Sequence, residues 1–135
     1  MTFLILIDTD LWIDFFSGAE PGAAAVERLI GQRRAALSVV TVFELFCGAT
    51  RPAQIEQLER MVGALEPVTL TCSSAQRAGQ CYLQLRRQGR LIGNQDLMIA
   101  ATALELGIPI LSRNRPHFGR ISALEVLSPE EVLSY

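Results

Sequence analysis

Short apolar runs alternate along the chain with longer segments in which apolar residues recur every three or four positions. The runs cover residues 3–7, 36–40, 68–70, 108–111 and 123–127. Continuous apolar runs of this length are typical of strands that are buried on both faces, as in a parallel sheet. The pattern therefore predicts a central sheet that has little contact with solvent.

The segments between these runs have the spacing of helices that bury one face. Helices are predicted over about 12–17, 21–30, 41–49, 52–65, 74–88 and 94–106, and a last one begins at Ser128. That last start combines an N-cap serine, an N1 proline and an N3 glutamate. Strands that alternate with helices indicate an α/β fold with a parallel sheet, in a single domain over residues 1–135.

Composition agrees with a compact fold and says little about partners. Of the 135 residues 50% are apolar and 19% charged, which argues against disorder. The net charge of −2 does not favour a nucleic-acid partner, because domains that bind nucleic acids are often basic. All twelve cations are arginines, which suit phosphate oxygens, although codon bias explains the absence of lysine more simply.

Three cysteines occur, Cys47, Cys72 and Cys81, and they form no C-x-x-C pair. Their apolar neighbours and odd number predict buried free thiols in a reducing compartment. No apolar run has the length of a membrane span, and the N-terminus lacks the basic start of a signal peptide. We expect a cytoplasmic protein without a membrane segment.

The chemically informative residues are acids at the ends of predicted strands and the starts of helices. Asp8 is the first polar residue after the first strand, Glu44 follows the second strand, and Asp96 lies in the first turn of the 94–106 helix. Ligands of parallel α/β sheets bind beyond the carboxyl ends of the strands. We therefore expect these three carboxylates to converge at one edge of the sheet.

Convergence of three carboxylates would require a cation or protonation. Two like charges about 4 Å apart repel by roughly 4 kcal/mol at an effective dielectric constant near 20. Mg²⁺ and Mn²⁺ prefer oxygen ligands and are commonly held by one or two carboxylates plus waters. Such an ion activates water and stabilises charge on a phosphodiester. No serine, cysteine or zinc site is evident, and His117 is the only histidine.

Each acid also has a purely structural interpretation. Asp8 is placed to cap the next helix, Thr41-Val-Phe-Glu44 fits a capping box, and Asp96 stabilises a helix N-terminus through the helix dipole. Asp10 and Asp14 are interpreted as a helix cap and a solvent-facing residue.

Four segments in order resemble the motifs of a known family. They are Leu6-Ile-Asp-Thr9, Ser38-Val-Val-Thr-Val-Phe-Glu-Leu45, Asn94-Gln-Asp-Leu-Met-Ile-Ala-Ala101 and Leu111-Ser-Arg-Asn-Arg-Pro-His-Phe118. Each motif is weak alone, but their order and spacing agree over nearly the whole chain. The chain resembles the PIN-domain ribonucleases, specifically the VapC-type toxins of bacterial toxin–antitoxin pairs.

This resemblance implies a three-layer α/β/α sandwich around a parallel sheet and a Mg²⁺- or Mn²⁺-dependent endoribonuclease. It also implies a homodimer and inhibition by a cognate antitoxin. The family's first three acidic positions map onto Asp8, Glu44 and Asp96. We expect Asp8 and Asp96 to anchor the metal, and Glu44 to bind it or to position the attacking water.

The chain departs from the family at its fourth acidic position. The segment 112–118 offers Asn114 and His117 instead of an acid. Asn114 is a candidate metal ligand through its carbonyl oxygen, or it stabilises the turn. The loss favours a single-metal mechanism.

Further expectations concern contacts with RNA and with the antitoxin. Thr9 and Ser112 are candidates for hydrogen bonds near the phosphate, or are turn hydroxyls. The candidate contacts to the RNA backbone are Arg86, Arg87 and Arg90, which equally suit a helix C-terminus. Aromatic residues near the site are expected in the core, and any that are exposed would suit a groove for an antitoxin helix. These are Trp12, Phe15, Phe16, Phe43 and Phe46.

Two other functions fit parts of the sequence. Asp8-Thr-Asp10 after an apolar strand resembles the opening of haloacid-dehalogenase-type phosphatases, in which the first aspartate is the nucleophile and the second the general acid. No lysine and no later acidic pair accompany it here. The other alternative is a PIN domain without catalytic activity that binds RNA or a partner, and only Asn114 favours it.

Overall fold

A parallel sheet of four short strands forms the centre of the computed structural model, which describes residues 3–134. The strands are β1 (Ile5–Ile7), β2 (Ala35–Ala36), β3 (Ile110–Leu111) and β4 (Val126–Leu127). Their order in the sheet is β2-β1-β3-β4, and every pair is parallel. A single bridge between Ser38 and Val68 continues the pairing beyond β2.

Helices connect the strands and cover the sheet. They are α1 (Thr9–Ser17), α2 (Gly22–Gly31), α3 (Val39–Cys47), α4 (Pro52–Leu65), α5 (Cys72–Arg87), α6 (Asn94–Leu106), α7 (Arg115–Phe118) and α8 (Pro129–Leu133). The longest helices agree with the sequence pattern to within two residues. The short helix α7 was not predicted.

Alternate strand residues face two separate apolar cores, which is the arrangement of a three-layer sandwich. Leu6 and Ile110 pack into the core beneath α5 and α6. Ile5, Ile7 and Leu111 pack into the core beneath α1 and α2. All five side chains are almost completely buried. The predicted α/β/α sandwich with a doubly buried parallel sheet is therefore confirmed.

Helix ends follow local rules where the signal is unambiguous. Gly18 and Gly107 end α1 and α6 in the left-handed conformation, with φ of 77° and 66°. Ser128 and Glu131 form the predicted capping box at α8. No helix within residues 3–134 combines the length and the apolar character needed to cross a membrane.

Several predicted boundaries were wrong. The second strand ends at Ala36, because the hydroxyl of Ser38 accepts a hydrogen bond of 3.0 Å from Val40 N and starts α3 there. The capping box proposed for Thr41 and Glu44 therefore does not exist, and Thr41 is buried within the helix. The segment 68–70 makes one bridge rather than a strand. Thr71, instead of the serines after it, caps α5.

The cysteines also differ from expectation. All three thiols are free, but Cys47 and Cys72 are exposed and Cys81 is half-buried. Cys47 is the last residue of α3 and Cys72 the first of α5. A helix end projects beyond the packed layers, so apolar neighbours in the sequence do not ensure burial at these positions.

Candidate active site at the carboxyl edge of the sheet

Asp8 lies at the carboxyl end of the central strand β1 and is fixed from three directions. Its backbone N–H donates to Leu111 O at 2.9 Å. Its Oδ1 accepts from Thr9 N at 2.8 Å, and its Oδ2 accepts from the hydroxyl of Ser112 at 3.0 Å. The residue is 4% exposed. Asp8 thus caps α1, as its structural interpretation requires, and still presents a buried carboxylate at the edge of the sheet.

The environment of Asp8 disfavours its negative charge. Burial raises the pKa of this carboxyl group to about 7, with smaller increases from the charges of Asp96 and Asp10. The hydrogen bonds from Ser112 and Thr9 act in the opposite direction. A carboxylate in such surroundings is stabilised by a nearby cation.

Asp96 occupies the first turn of α6, as predicted, and is partly buried. Burial raises the pKa of Asp96, the charge of Asp10 raises it further, and His117 lowers it. The Nδ1 atom of His117 is 3.8 Å from Asp96 Oδ2, which is too long for a hydrogen bond. His117 is therefore close to Asp96 but lies beyond hydrogen-bond distance from its carboxylate.

Asp10 belongs to the same acidic edge, which the sequence interpretation missed. It does not cap α1, because Asp8 does; it is an exposed residue in the first turn. Its charge raises the pKa of both Asp8 and Asp96. The sequence signal that could have indicated this is the position of Asp10 two residues after Asp8, in the first turn of a helix that begins at the sheet edge.

Glu44 lies in the second turn of α3 and is connected to α1 through Thr9. The hydroxyl of Thr9 donates to Glu44 Oε1 at 2.7 Å and is 2.9 Å from the hydroxyl of Thr41. Because Thr9 has one hydroxyl proton, Thr41 is the donor of the second bond. Glu44 is not among the charges that shift the pKa of Asp8 or Asp96.

Asp8, Asp96 and Asp10 are therefore close enough for their like charges to disfavour one another. Glu44 instead lies beside Thr9. Within residues 3–134, no group of three or more acidic, histidine or cysteine side chains lies close enough to enclose a metal ion. Mg²⁺ and Mn²⁺ need only one or two carboxylates together with waters. The all-oxygen set of Asp8 and Asp96, in surroundings where burial disfavours both negative charges, fits such an ion.

The polar residues expected around the phosphate have partners inside the protein. Thr9 and Ser112 are buried, and their hydroxyls hold Glu44 and Asp8. Asn114 is half-buried; its backbone N–H donates to the hydroxyl of Ser112 at 2.9 Å, and its side chain does not cap α7. The backbone of Asn114, and not its side chain, thus stabilises the turn. Its side chain stays a predicted metal ligand.

Asp14 was expected to face solvent, and this prediction was wrong. It is 9% exposed and accepts two hydrogen bonds from Arg113, at 3.0 and 3.3 Å. The partner follows it by 99 residues, so no local pattern indicates the contact. The pair joins α1 to the turn that holds Ser112.

The arginines assigned to RNA are all exposed. Arg86 and Arg87 lie in the last turn of α5, and Arg90 lies just beyond it. Arg120 donates to the carbonyl groups of Arg90 and Leu91 at 3.3 and 3.0 Å, which brings the turn after α5 against the segment after α7. Exposure agrees with contact to RNA and equally with a favourable position at a helix C-terminus.

An apolar groove of about 540 Å³ lies between α1, α3 and α4. Its walls include Ile13, Phe16, Leu45 and Leu58, and Glu44 and Arg51 also line it. Of the aromatic residues expected in the core, Trp12 is completely buried, whereas Phe43 is 59% exposed and lies on α3.

Comparison with known proteins identifies relatives over most of the chain. A family model described as PIN domain matches residues 5–124. Ribonuclease VapC1 of Methanocaldococcus jannaschii is 31% identical over 117 residues, which are 87% of this chain and 80% of the relative. The tRNA(fMet)-specific endonuclease VapC of Shigella flexneri is 31% identical over 124 residues, 88% of this chain and 92% of the relative.

Solved structures share the fold. The DNA-bound VapBC of Salmonella typhimurium is similar with a TM-score of 0.81 and 24% identity, over 95% of this chain and 99% of that chain. A toxin–antitoxin complex from Klebsiella pneumoniae is similar with a TM-score of 0.67 and 27% identity, over 93% and 97%. The order of elements described above is therefore that of a known fold over almost its full length.

Proposed function

The chain belongs to the PIN-domain family, and we propose that it is the endoribonuclease toxin of a toxin–antitoxin pair, dependent on a Mg²⁺ or Mn²⁺ ion held by Asp8 and Asp96. One observation carries the metal assignment. Asp8 is a buried carboxyl group at a strand end, its pKa is raised to about 7, and Asp96 and Asp10 are its charged neighbours. Evidence for the activity comes from the relatives, which are named as ribonucleases or as an RNA endonuclease.

The chain's own residues position the reacting groups. Ser112 and the backbone of Thr9 fix both oxygens of Asp8, so this side chain needs little rearrangement to bind a cation. The bound ion supplies activation of water and stabilisation of charge on the phosphodiester. Thr9 orients Glu44, to which we assign the positioning of the attacking water. With Asn114 at the fourth acidic position, two carboxylate anchors favour a single ion.

We assign contacts with the RNA backbone to the exposed arginines Arg86, Arg87 and Arg90. All three residues are exposed, and guanidinium groups match phosphate oxygens in geometry and charge. Such contacts position a strand without reading its bases. The overall net charge of −2 means that this local cluster, and not the whole molecule, attracts RNA.

The antitoxin partner is assigned to the apolar groove between α1, α3 and α4. Amphipathic helices bind in grooves of this kind through apolar side chains at helical spacing. Ile13 is 48% exposed although it is apolar, and it lines the groove together with Phe16. Glu44 lies both in the groove and beside Thr9. An antitoxin helix in the groove would therefore reach the active site and block it.

The test of the activity is RNA cleavage by the purified chain in Mg²⁺, in Mn²⁺ and in EDTA. We expect internal cleavage with either ion and none in EDTA. Metal binding without any cleavage would instead support a PIN domain that only binds RNA or a partner. Release of phosphate from a small phosphomonoester, abolished by D10N, would favour a phosphatase. The match to the PIN-domain family does not support this alternative.

A further inference from the structure

Asp14 and Arg113 form an ion pair between α1 and the turn after β3. Arg113 Nε lies 3.0 Å from Asp14 Oδ2, and Nη2 lies 3.3 Å from Oδ1. The guanidinium is thus held at two points, which fixes its orientation. The Asp14 side chain is only 12% exposed, whereas that of Arg113 is 53% exposed. The contact is therefore more defined than a solvent-exposed ion pair, which contributes little.

The helix α2 packs directly against the Asp14 carboxylate. A Cβ atom added at Gly22 would lie 2.5 Å from Asp14 Oδ2 and 2.9 Å from its Cβ. Glycine at this position lets α2 approach α1 so closely. The Asp14 side chain is consequently fixed in position, and its carboxylate fixes the guanidinium group of Arg113.

Arg113 is also a cation beside the acidic edge. It follows Ser112, whose hydroxyl is bonded to Asp8. The hydrogen bond to Asp14 raises the pKa of Arg113, and the charges of Asp14, Asp10 and Asp8 raise it as well. A long, half-exposed side chain released from Asp14 has the carboxylates of Asp8 and Asp10 as alternative partners. In that position a guanidinium would neutralise the charge that attracts a divalent cation.

We propose that Asp14 restrains the guanidinium of Arg113 and thereby keeps the acidic edge open to a divalent cation. Asp14 is in this sense a positioning residue, which contacts neither the cation nor RNA. The inference rests on the proposed function, because it presupposes a cation at Asp8 and Asp96. It differs from a purely structural tie, in which the loss of either partner has the same consequence.

The experiment is calorimetric titration of the full chain with Mg²⁺ for the wild type, D14N, R113Q and the double variant D14N/R113Q. Because a released guanidinium competes with the cation, D14N should weaken Mg²⁺ binding about tenfold or more. R113Q leaves no competing cation and should bind Mg²⁺ within about threefold of the wild type. Adding R113Q to D14N should restore binding to that level, as a coupled pair requires.

Two results would overturn the restraint. One is Mg²⁺ binding by D14N that equals the wild type; the other is equal weakening in D14N, R113Q and the double variant, which indicates a structural tie. Should D14N not fold, R113K replaces it, since this change affects only a half-exposed side chain. Lysine lacks the two-point fork, so Mg²⁺ binding should weaken about threefold or more, and unchanged binding would contradict the proposal.

Failure of the restraint and failure of the nuclease function give different results. A wild-type chain that binds no Mg²⁺ overturns the metal site and the restraint together. If the wild type binds Mg²⁺ and cleaves RNA but the variants do not show the expected order of Mg²⁺ affinities, the restraint alone is overturned. The expected order of Mg²⁺ affinities in a chain that leaves RNA intact supports the restraint and contradicts the nuclease function.

Discussion

The hydroxyl of Ser112 donates a 3.0 Å hydrogen bond to Asp8 Oδ2 across 104 residues of sequence. The same hydroxyl accepts from the backbone N–H of Asn114 at 2.9 Å. One buried side chain thus connects the end of β1 to the turn after β3. The bond joins the carboxylate proposed to hold the metal to the segment in which the family's fourth acid is replaced.

Replacing Ser112 with alanine tests whether this bond positions Asp8. S112A removes one orienting contact from the carboxylate and leaves the N–H of Asn114 without its acceptor. We expect RNA cleavage to fall by about tenfold and the free energy of unfolding by about 1 kcal/mol or more. Cleavage rate and urea unfolding are measured together. S73A is the matched control, because the hydroxyl of Ser73 bonds only at the exposed surface, to Glu105; an equal loss of cleavage in S73A would refute the assignment.

The raised pKa of Asp8 predicts a stability that depends on pH in the absence of metal. The pKa is about 7 in the folded chain and near 3.8 when the group is unperturbed. The folded state therefore retains the proton over this interval, and its stability falls as the pH rises from about 4 to 7. The loss is at most about 1.4 kcal/mol per pH unit and ceases above pH 7.

This dependence is measured by urea unfolding in EDTA between pH 4.5 and 8, for the wild type and D8N. Asn cannot ionise, so the wild type should lose stability relative to D8N as the pH rises. Adding Mg²⁺ should reverse the trend above pH 6, because the ion binds the ionised group. Parallel curves for the two proteins in EDTA would mean that burial does not disfavour the charge of Asp8.

Gly22 and Gly31 provide a matched pair within α2. A Cβ atom at Gly22 would meet Asp14 Oδ2 at 2.5 Å, whereas nothing lies within 4 Å of a Cβ atom at Gly31. We expect G22A to lower the free energy of unfolding by about 1–3 kcal/mol through overpacking. G31A should be neutral or stabilising by up to about 1 kcal/mol, because alanine favours helices. Thermal or urea unfolding measures both, and equal stabilities would show that α1 and α2 are not packed as described.

Ile13 tests the antitoxin groove. It is 48% exposed and lines the groove, whereas Leu106 is 46% exposed and lies at the end of α6, outside it. A charge in an apolar groove disfavours an apolar helix, so I13E should weaken binding of the proposed antitoxin partner by about tenfold or more. L106E should bind normally. Copurification followed by a titration of the complex measures this, and a loss only in L106E would place the antitoxin elsewhere.

The positions of Asp8 and Asp96 could be predicted because strand ends and helix starts are local features. Asp8 ends a buried apolar run, and Asp96 lies in the first turn of the clearest helix. The role of Asp14 could not be predicted, since its partner Arg113 lies far along the chain. Local patterns indicate which element a residue belongs to, but they do not indicate which distant side chain it meets.

The start of α3 shows a second limit of the sequence. Ser38 and Thr41 are both suitable caps, and the sequence alone favoured Thr41 because Glu44 completes a capping box. In the fold, Val39 N donates to Val68 O at 3.0 Å, so the chain is turned at Ser38 by a contact from another segment. Glu44 then lies one turn further into the helix, where Thr9 binds it. A tertiary contact thus selected the cap that the local signal did not favour.

The most direct test of the metal assignment is an RNA cleavage time course for the wild type, D8N and D96N with Mg²⁺, Mn²⁺ or EDTA. E56Q is the control, because Glu56 is exposed on α4, where it pairs with Arg60, and its charge is not among those that shift the pKa of Asp8 or Asp96. We expect metal-dependent cleavage by the wild type and by E56Q, and a loss of about a hundredfold or more in D8N and D96N. Cleavage that persists in both aspartate variants, or in EDTA, would contradict the assignment of the metal to Asp8 and Asp96.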